Sequence, residues 1–296
     1  MLSSTPSSTK LAYAALAAAG ALWGTSFLLG KIALEEMGPA YLVLYRFVLA
    51  SIVLIPFVPR TRPRISRHDA GLLVLGALLM GPIMFLLQFE GLDRTTVSSA
   101  ALIVGTAPPM MAIGGFLVDG ERPKRWTWIA IGLSAIGVGL LVGGPGEGRT
   151  LLGDGLVFVS MIAAVVWTLL ARRIARRVGV VPATTILFSL GTLILLPFAI
   201  VLEGPPPLDL SLGVWVSVAT LGVVCTALTF WLWNWGLQRA EASQAGVFGN
   251  LEPLVGATLG VTLLGEHLGP LALVGGMLVV GSALLVSRGK PEAARI

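Results

Sequence analysis

Residues 91–122 recur without a gap at 236–267, 145 positions further along the chain. Gly91-Leu92-x-Arg94 aligns with Gly236-Leu237-x-Arg239, Ser98 with Ser243 and Ala100 with Ala245. Pro108 meets Pro253, Ala112 meets Ala257, Gly115 meets Gly260, and Gly120-Glu121 meets Gly265-Glu266. Chance likeness between apolar segments would repeat Leu and Val, not a proline, an arginine and a Gly-Glu pair at one offset. The chain is therefore read as two copies of one unit, which restricts it to architectures built from structural repeats.

What solvent those copies face follows from composition. The 296 residues are 55% hydrophobic and 12% charged, about half the charge of a soluble domain, which carries roughly 25%. Apolar stretches of about 20 residues can cross a bilayer core of roughly 30 Å. The chain offers them at 11–30, 38–58, 69–89, 96–118, 126–143, 152–171, 182–202, 212–236, 242–264 and 268–287. These runs are too long for strands, and in lipid a helix satisfies its own backbone groups. The expected fold is an all-α membrane protein of ten transmembrane helices. Its expected parts are a tail at 1–10, five-helix repeats at 11–144 and 152–287, and a second tail at 288–296. The run 11–30 is read as the first span and not as a cleaved leader, because Trp23 is matched by Trp167 in the second copy.

Charge then orients the copies. Sixteen of the twenty basic residues fall on one side of such a layout: Lys10, Arg60, Arg62, Arg64, Arg67, Arg122, Lys124, Arg125, Arg172, Arg173, Arg176, Arg177, Arg239, Arg288, Lys290 and Arg295. Lys31, Arg94 and Arg149 fall on the other, and Arg46 lies within the second span. The positive-inside rule places both termini in the cytoplasm of an inner-membrane protein. Five helices per copy is an odd number, so the second copy enters the membrane upside down. The basic loop 119–125 is matched by 265–270, which holds no Lys or Arg, and an inverted duplication follows. The net charge of +5 thus marks topology and anionic lipid, with no nucleic acid among the expected partners. Oligomeric state stays open between monomer and homodimer.

Within the spans, Glu252 is the sharpest signal. It lies about ten residues into the ninth run, hence roughly 15 Å deep at 1.5 Å per residue. An ionisable group at that depth costs a few kcal/mol and usually faces a cavity or a partner. It suits proton coupling or binding of a cationic group; a neutral acid hydrogen-bonded for packing is the other reading. Pro253 next to it, like Pro108 and Pro109 in the fourth run, frees a helix carbonyl and marks a helix break. Asn250 points to another face and could bond across helices. Arg46, near Tyr41 and Tyr45, could bind a carboxylate, pair with Glu252 or snorkel outward. Ser26, Gln88, Thr106 and Asn234 are further polar candidates. Trp23 and Trp167 lie deep enough to form cavity walls or cation–π faces, and Trp231 belongs to a cluster with Phe230, Trp233 and Trp235.

Several functions are excluded by what is missing. Cys225 is the sole cysteine, and His68 and His267 are the only histidines, at helix ends; no metal or cofactor site is expected. No P-loop pattern offers ATP drive, and no His or Asp stands mid-span to build a catalytic pair. A two-gate secondary transporter working by alternating access is the expectation, carrying a small polar solute with possible proton exchange at Glu252. An uncoupled facilitator or channel is the alternative.

Ala21-Leu22-Trp23-Gly24, Lys31 and Tyr45-Arg46-Phe47 resemble the first helices of the EamA family in the drug/metabolite transporter superfamily. Residues 226–266, with Trp-Asn, Leu-Glu-Pro and a terminal Gly-Glu, resemble that family's second domain almost throughout. The resemblance covers roughly residues 11–287. It implies an inner-membrane exporter of amino acids or other metabolites, with a site between helices 1, 3, 4, 6, 8 and 9. It places Trp23, Arg46 and Glu252 at motif positions without assigning their roles. Ala107 stands opposite Glu252, and Gly105 opposite Asn250, so the two halves are not expected to treat a substrate alike.

Overall fold

A computed structural model describes residues 6–58, 65–119, 125–143, 148–239 and 248–288. They form ten helices. The first half contains α1 (Pro6–Ala33), α2 (Pro39–Leu54, continued by a 3-10 turn Ile55–Phe57) and α3 (Arg67–Asp93). It continues with α4 (Val97–Val104, then Ala107–Asp119) and α5 (Arg125–Gly143). The second half contains α6 (Leu151–Val178), α7 (Val180–Glu203), α8 (Leu212–Gly222 to Thr229–Leu237), α9 (Leu251–Leu263) and α10 (Pro270–Arg288). Seven are long and apolar enough to cross a membrane, and α5, α9 and α10 are shorter apolar helices. Helix α1 reaches back to Pro6, into the stretch expected as a tail, with proline suited to a first turn. Residues 242–247 of the expected ninth span lie outside the described residues.

Local chemistry sets the ends. Side chains of Ser66, Thr96, Thr150 and Ser211 cap α3, α4, α6 and α8 by accepting from the amides of Asp69, Ser99, Gly153 and Val214. Gly204 stops α7 at φ 80°, a left-handed conformation that costs glycine little.

The packing obeys an inverted two-fold. Helix α1 lies against α8 and α9, as α6 lies against α3 and α4; α2 pairs with α7, α4 with α9 and α5 with α10. Glycines allow the approach. A Cβ on Gly24 would fall 2.7 Å from the Glu252 carbonyl, and one on Gly137 2.7 Å from the Gly275 carbonyl.

Irregular backbone recurs with the repeat. Helix α3 widens into a π-helical segment at Leu79–Phe85, and α8 does so at Val223–Leu228; 79 plus 145 is 224. Helix α4 breaks at Gly105-Thr106 and α9 starts behind Asn250, and 105 plus 145 is 250. The prolines proposed as helix breaks therefore sit just past them: Pro108 and Pro253 occupy the first turns that follow. A proline excludes a helical bond to the fourth residue back, so the irregular backbone falls upstream of it.

The loops 34–38, 94–96, 148–150, 204–211 and 264–269 gather at one end of the bundle through their hydrogen bonds.

Candidate functional site between the two π-helical segments

Arg46 projects from α2 into the middle of the bundle and is 2% exposed. Its Nε donates to Thr226 Oγ1 at 2.5 Å. Thr226 belongs to the π segment of α8, whose wider turn lets its own hydroxyl donate five residues back to the Leu221 carbonyl. That commitment leaves an oxygen lone pair aimed at Arg46. The guanidinium lies 4.6 Å from the centroid of Phe85, in the π segment of α3, and 5.6 Å from Phe89. Arg46 thus joins both π segments. No ion pair or second hydrogen bond reaches its two terminal nitrogens among the described residues.

Glu252 lies in the first turn of α9, beside Gly24 of α1. From the far end of α9 it is about 16 Å deep at 1.5 Å per residue. It sits deep among the helices yet keeps accessible surface, the combination expected of a cavity wall. Its charge and that of Arg46 interact, but no direct ion pair joins them, and no described residue hydrogen-bonds to its carboxyl group.

Phe230 organises the aromatic side of this space. Trp23 packs on it at 5.7 Å, Trp167 at 6.3 Å and Phe188 at 5.4 Å, while Trp233 adds to Trp23 at 5.1 Å. Phe188 continues through Phe47 to Phe85, beneath Arg46. Phe85 and Phe230 are repeat partners, 145 residues apart. One supports the cation and the other the two tryptophans. Among the described residues the indole Nε1 of Trp167 is buried without an acceptor, a donor whose desolvation they leave uncompensated.

The remaining sequence candidates divide. Gln88 is buried and has no hydrogen-bond partner among the described residues; it occupies in α3 the place of Trp233 in α8. Asn250 is 3% exposed at the start of α9. Ser26 and Thr106 spend their hydroxyls locally, on the Trp23 carbonyl at 2.6 Å and on Met110 Sδ at 3.3 Å. Trp231 is exposed and stacks with Trp235. With Asn234, Leu54, Val180, Thr184 and Phe230 it lines a side cavity of about 180 Å³, and the Asn234 amide donates to the Phe230 carbonyl at 2.8 Å.

Sequence reasoning missed a polar network at the loop end. Lys31 donates to the carbonyls of Leu92 and Thr95 at 2.9 Å and of Asp93 at 3.1 Å. Glu266 accepts from the amides of Val97 and Ser98 at 2.6 and 2.7 Å, and Glu203 from those of Ala40 and Tyr41. Asp154 accepts from Arg149 at 2.6 Å and from Thr95 Oγ1 at 2.6 Å, with both members of the ion pair buried. The repeated Gly-Glu pair was the available signal for Glu266, and Lys31 stood among the residues that resemble the family; nothing local marked Glu203, Arg149 or Asp154. No group of three or more His, Cys, Asp or Glu side chains gathers among the described residues.

Known proteins resemble this chain in sequence and fold. The model of the EamA-like transporter family matches residues 10–143 and again 151–288. An uncharacterized transporter of Archaeoglobus fulgidus is 27% identical over 272 residues, covering 90% of this chain and 93% of that protein. The uncharacterized inner membrane transporter YicL of Salmonella typhimurium is 28% identical over 291 residues, 94% of this chain and 95% of its own. A solved crystal structure superposes with a TM-score of 0.63 over 95% of this chain and 96% of its own, at 18% identity, a likeness of fold. Two family matches within one bundle account for the repeat, the apolar spans and the multi-pass membrane architecture together: the chain belongs to the EamA-like transporter family.

Proposed function

We propose that the protein is a secondary active transporter of the inner membrane, with both termini in the cytoplasm, that exports amino acids or related small polar metabolites by alternating access. The observation that carries this reading is Glu252: an ionisable group deep in the bundle, with accessible surface and no described hydrogen-bond partner. Such a group is costly within a membrane and is retained where it serves a pathway. Glu252 holds either a proton or the cationic part of a solute, so export of one is exchanged for entry of the other. On this reading Arg46, Gln88, Trp23 and Trp167 are the other residues that meet the solute, and the inverted halves supply a gate at each end.

Proteoliposome uptake of amino acids under an imposed pH gradient tests this. Saturable, gradient-driven uptake that collapses in Glu252→Gln is the expected result. Gradient-driven transport unchanged in that variant sinks the coupling role, and flux that neither saturates nor responds to the gradient marks an uncoupled facilitator.

A further inference from the structure

We infer that Arg46 is a carboxylate-binding site, and that the cargo of this protein is therefore a small carboxylate whose apolar part rests on the aromatic wall. A guanidinium keeps its charge at physiological pH and offers five donors in a planar fork. Here one of those donors is used, by Thr226. A buried charge without a partner is strongly unfavourable, and Phe85 and Phe89 exclude water from one side while contributing only a face of electron density. Glu252 acts on Arg46 only at a distance, so among the described residues no carboxylate occupies the fork, and a planar anion matches its two terminal nitrogens in a bidentate way.

The other half of the repeat shows what this crossing looks like without such a role. Positions 191 and 81, repeat partners of Arg46 and Thr226, are both glycine, and they pack on the Phe47 ring and on each other with no polar side chain between them. Packing of α2 or α7 against its neighbour thus does not require an arginine. The cation also stands on the same run of rings that leads from Phe85 through Phe47 and Phe188 to Phe230 and the two tryptophans. Phe47 and Phe188 are fully buried within that run, so the apolar part of a ligand held at Arg46 would meet its part-exposed end, Phe230 with Trp23 and Trp167.

The inference rests on the transporter reading only in calling the ligand cargo; binding tests the site by itself. Purified full-length protein in nanodiscs would be titrated calorimetrically with 3-phenylpropionate, phenylalanine and phenethylamine, which share a ring and differ in charge. The two carboxylates are expected to bind wild type, and Arg46→Gln to weaken both by about ten- to hundredfold while leaving phenethylamine unchanged. Should Arg46→Gln fail to fold, Arg46→Lys keeps the buried charge and removes the fork, and is expected to weaken the carboxylates by about tenfold. Wild type that binds neither carboxylate, or variants that weaken all three ligands alike, overturn the assignment. Carboxylates bound but not moved in proteoliposomes would refute transport and leave the site standing. Transport of phenethylamine with indifference to carboxylates would do the reverse.

Discussion

Gly81 packs against Gly191: a Cβ added at 81 would lie 3.7 Å from the Cα of Gly191. The neighbouring contacts are related in the same way. A Cβ on Gly222 would fall 3.0 Å from the Arg46 carbonyl, and one on Gly191 3.8 Å from the carbonyl of Ala77, which is 145 residues before Gly222. One helix crossing is thus built twice, once with a cation and a hydroxyl and once with two glycines against the Phe47 ring. Glu252 against Ala107 repeats that asymmetry.

The glycine version should matter for packing alone. A Cβ on Gly191 would press on two atoms of the Phe47 ring at 3.0 Å, and Phe47 is fully buried between Phe85 and Phe188. Overpacking of this kind costs roughly 1–3 kcal/mol. Gly191→Ala is expected to lower the thermal midpoint while leaving the KM for transported solute unchanged. A raised KM with unaltered stability would show that this side also touches the ligand.

How much of this was legible beforehand depended on the kind of signal. The helices and their inversion could be read because length, charge and repeat all act along the chain. Trp23 and Trp167 could be picked out as deep aromatics, and both rest on Phe230. The π segments could not be foreseen. Pro82 interrupts the first, but the second contains no proline, so composition does not determine the widened turn. Nor could the inward face of each helix be derived, because membrane helices are apolar all round and show little periodic contrast. Lys31, Glu203 and Asp154 look like ordinary helix-end charges in sequence. Only contacts across 60 to 160 residues, such as Ala40 with Glu203, reveal what they hold.

The Arg149–Asp154 pair is local in the chain, five residues apart, and is tied across the fold through Thr95. Asp154 is 1% exposed, and it binds Arg149 through Nε at 2.8 Å as well as accepting from Thr95. Removing one member of a buried pair leaves the other uncompensated, at about 3–5 kcal/mol, whereas replacing both with apolar residues can restore stability. Asp154→Leu should therefore unfold at much lower temperature or denaturant than Asp154→Leu with Arg149→Met. Equal losses in the single and double variants would mean that the charges act separately.

Glu36 makes an acid-sensitive contact outside the spans. Hydrogen bonds from Ser211, first from its side chain and then from its backbone amide at 2.7 Å, hold the Glu36 carboxyl below the usual carboxylate range. The folded value is depressed, so the stabilisation is present above the unfolded value and is lost as pH falls through the folded one. Glu36→Gln should lower the thermal midpoint slightly at pH 7, and the difference from wild type should shrink as pH falls below the unfolded value of about 4.3 and vanish once the folded carboxyl is protonated. A constant difference across that range would assign the contact to something other than the carboxylate.

The turn between α3 and α4 is held from two sides, by Lys31 on its carbonyls and by Glu266 on its amides. Both clamps belong to the partners that frame Glu252: Lys31 ends α1, and Glu266 follows α9. A bundle that opens at the loop end has to release this turn, because α1 and α9 cannot part from it while five hydrogen bonds persist. Lys31→Met and Glu266→Gln should therefore favour the form open at that end. In a Cys225→Ser background, a cysteine replacing Ser26, which is buried about five residues from Lys31, reports on that opening. Its labelling by an impermeant maleimide from the loop-end side should rise several-fold in either clamp variant, with no rise from the opposite side. Labelling that stays flat while the thermal midpoint falls would reduce the clamp to a structural tie.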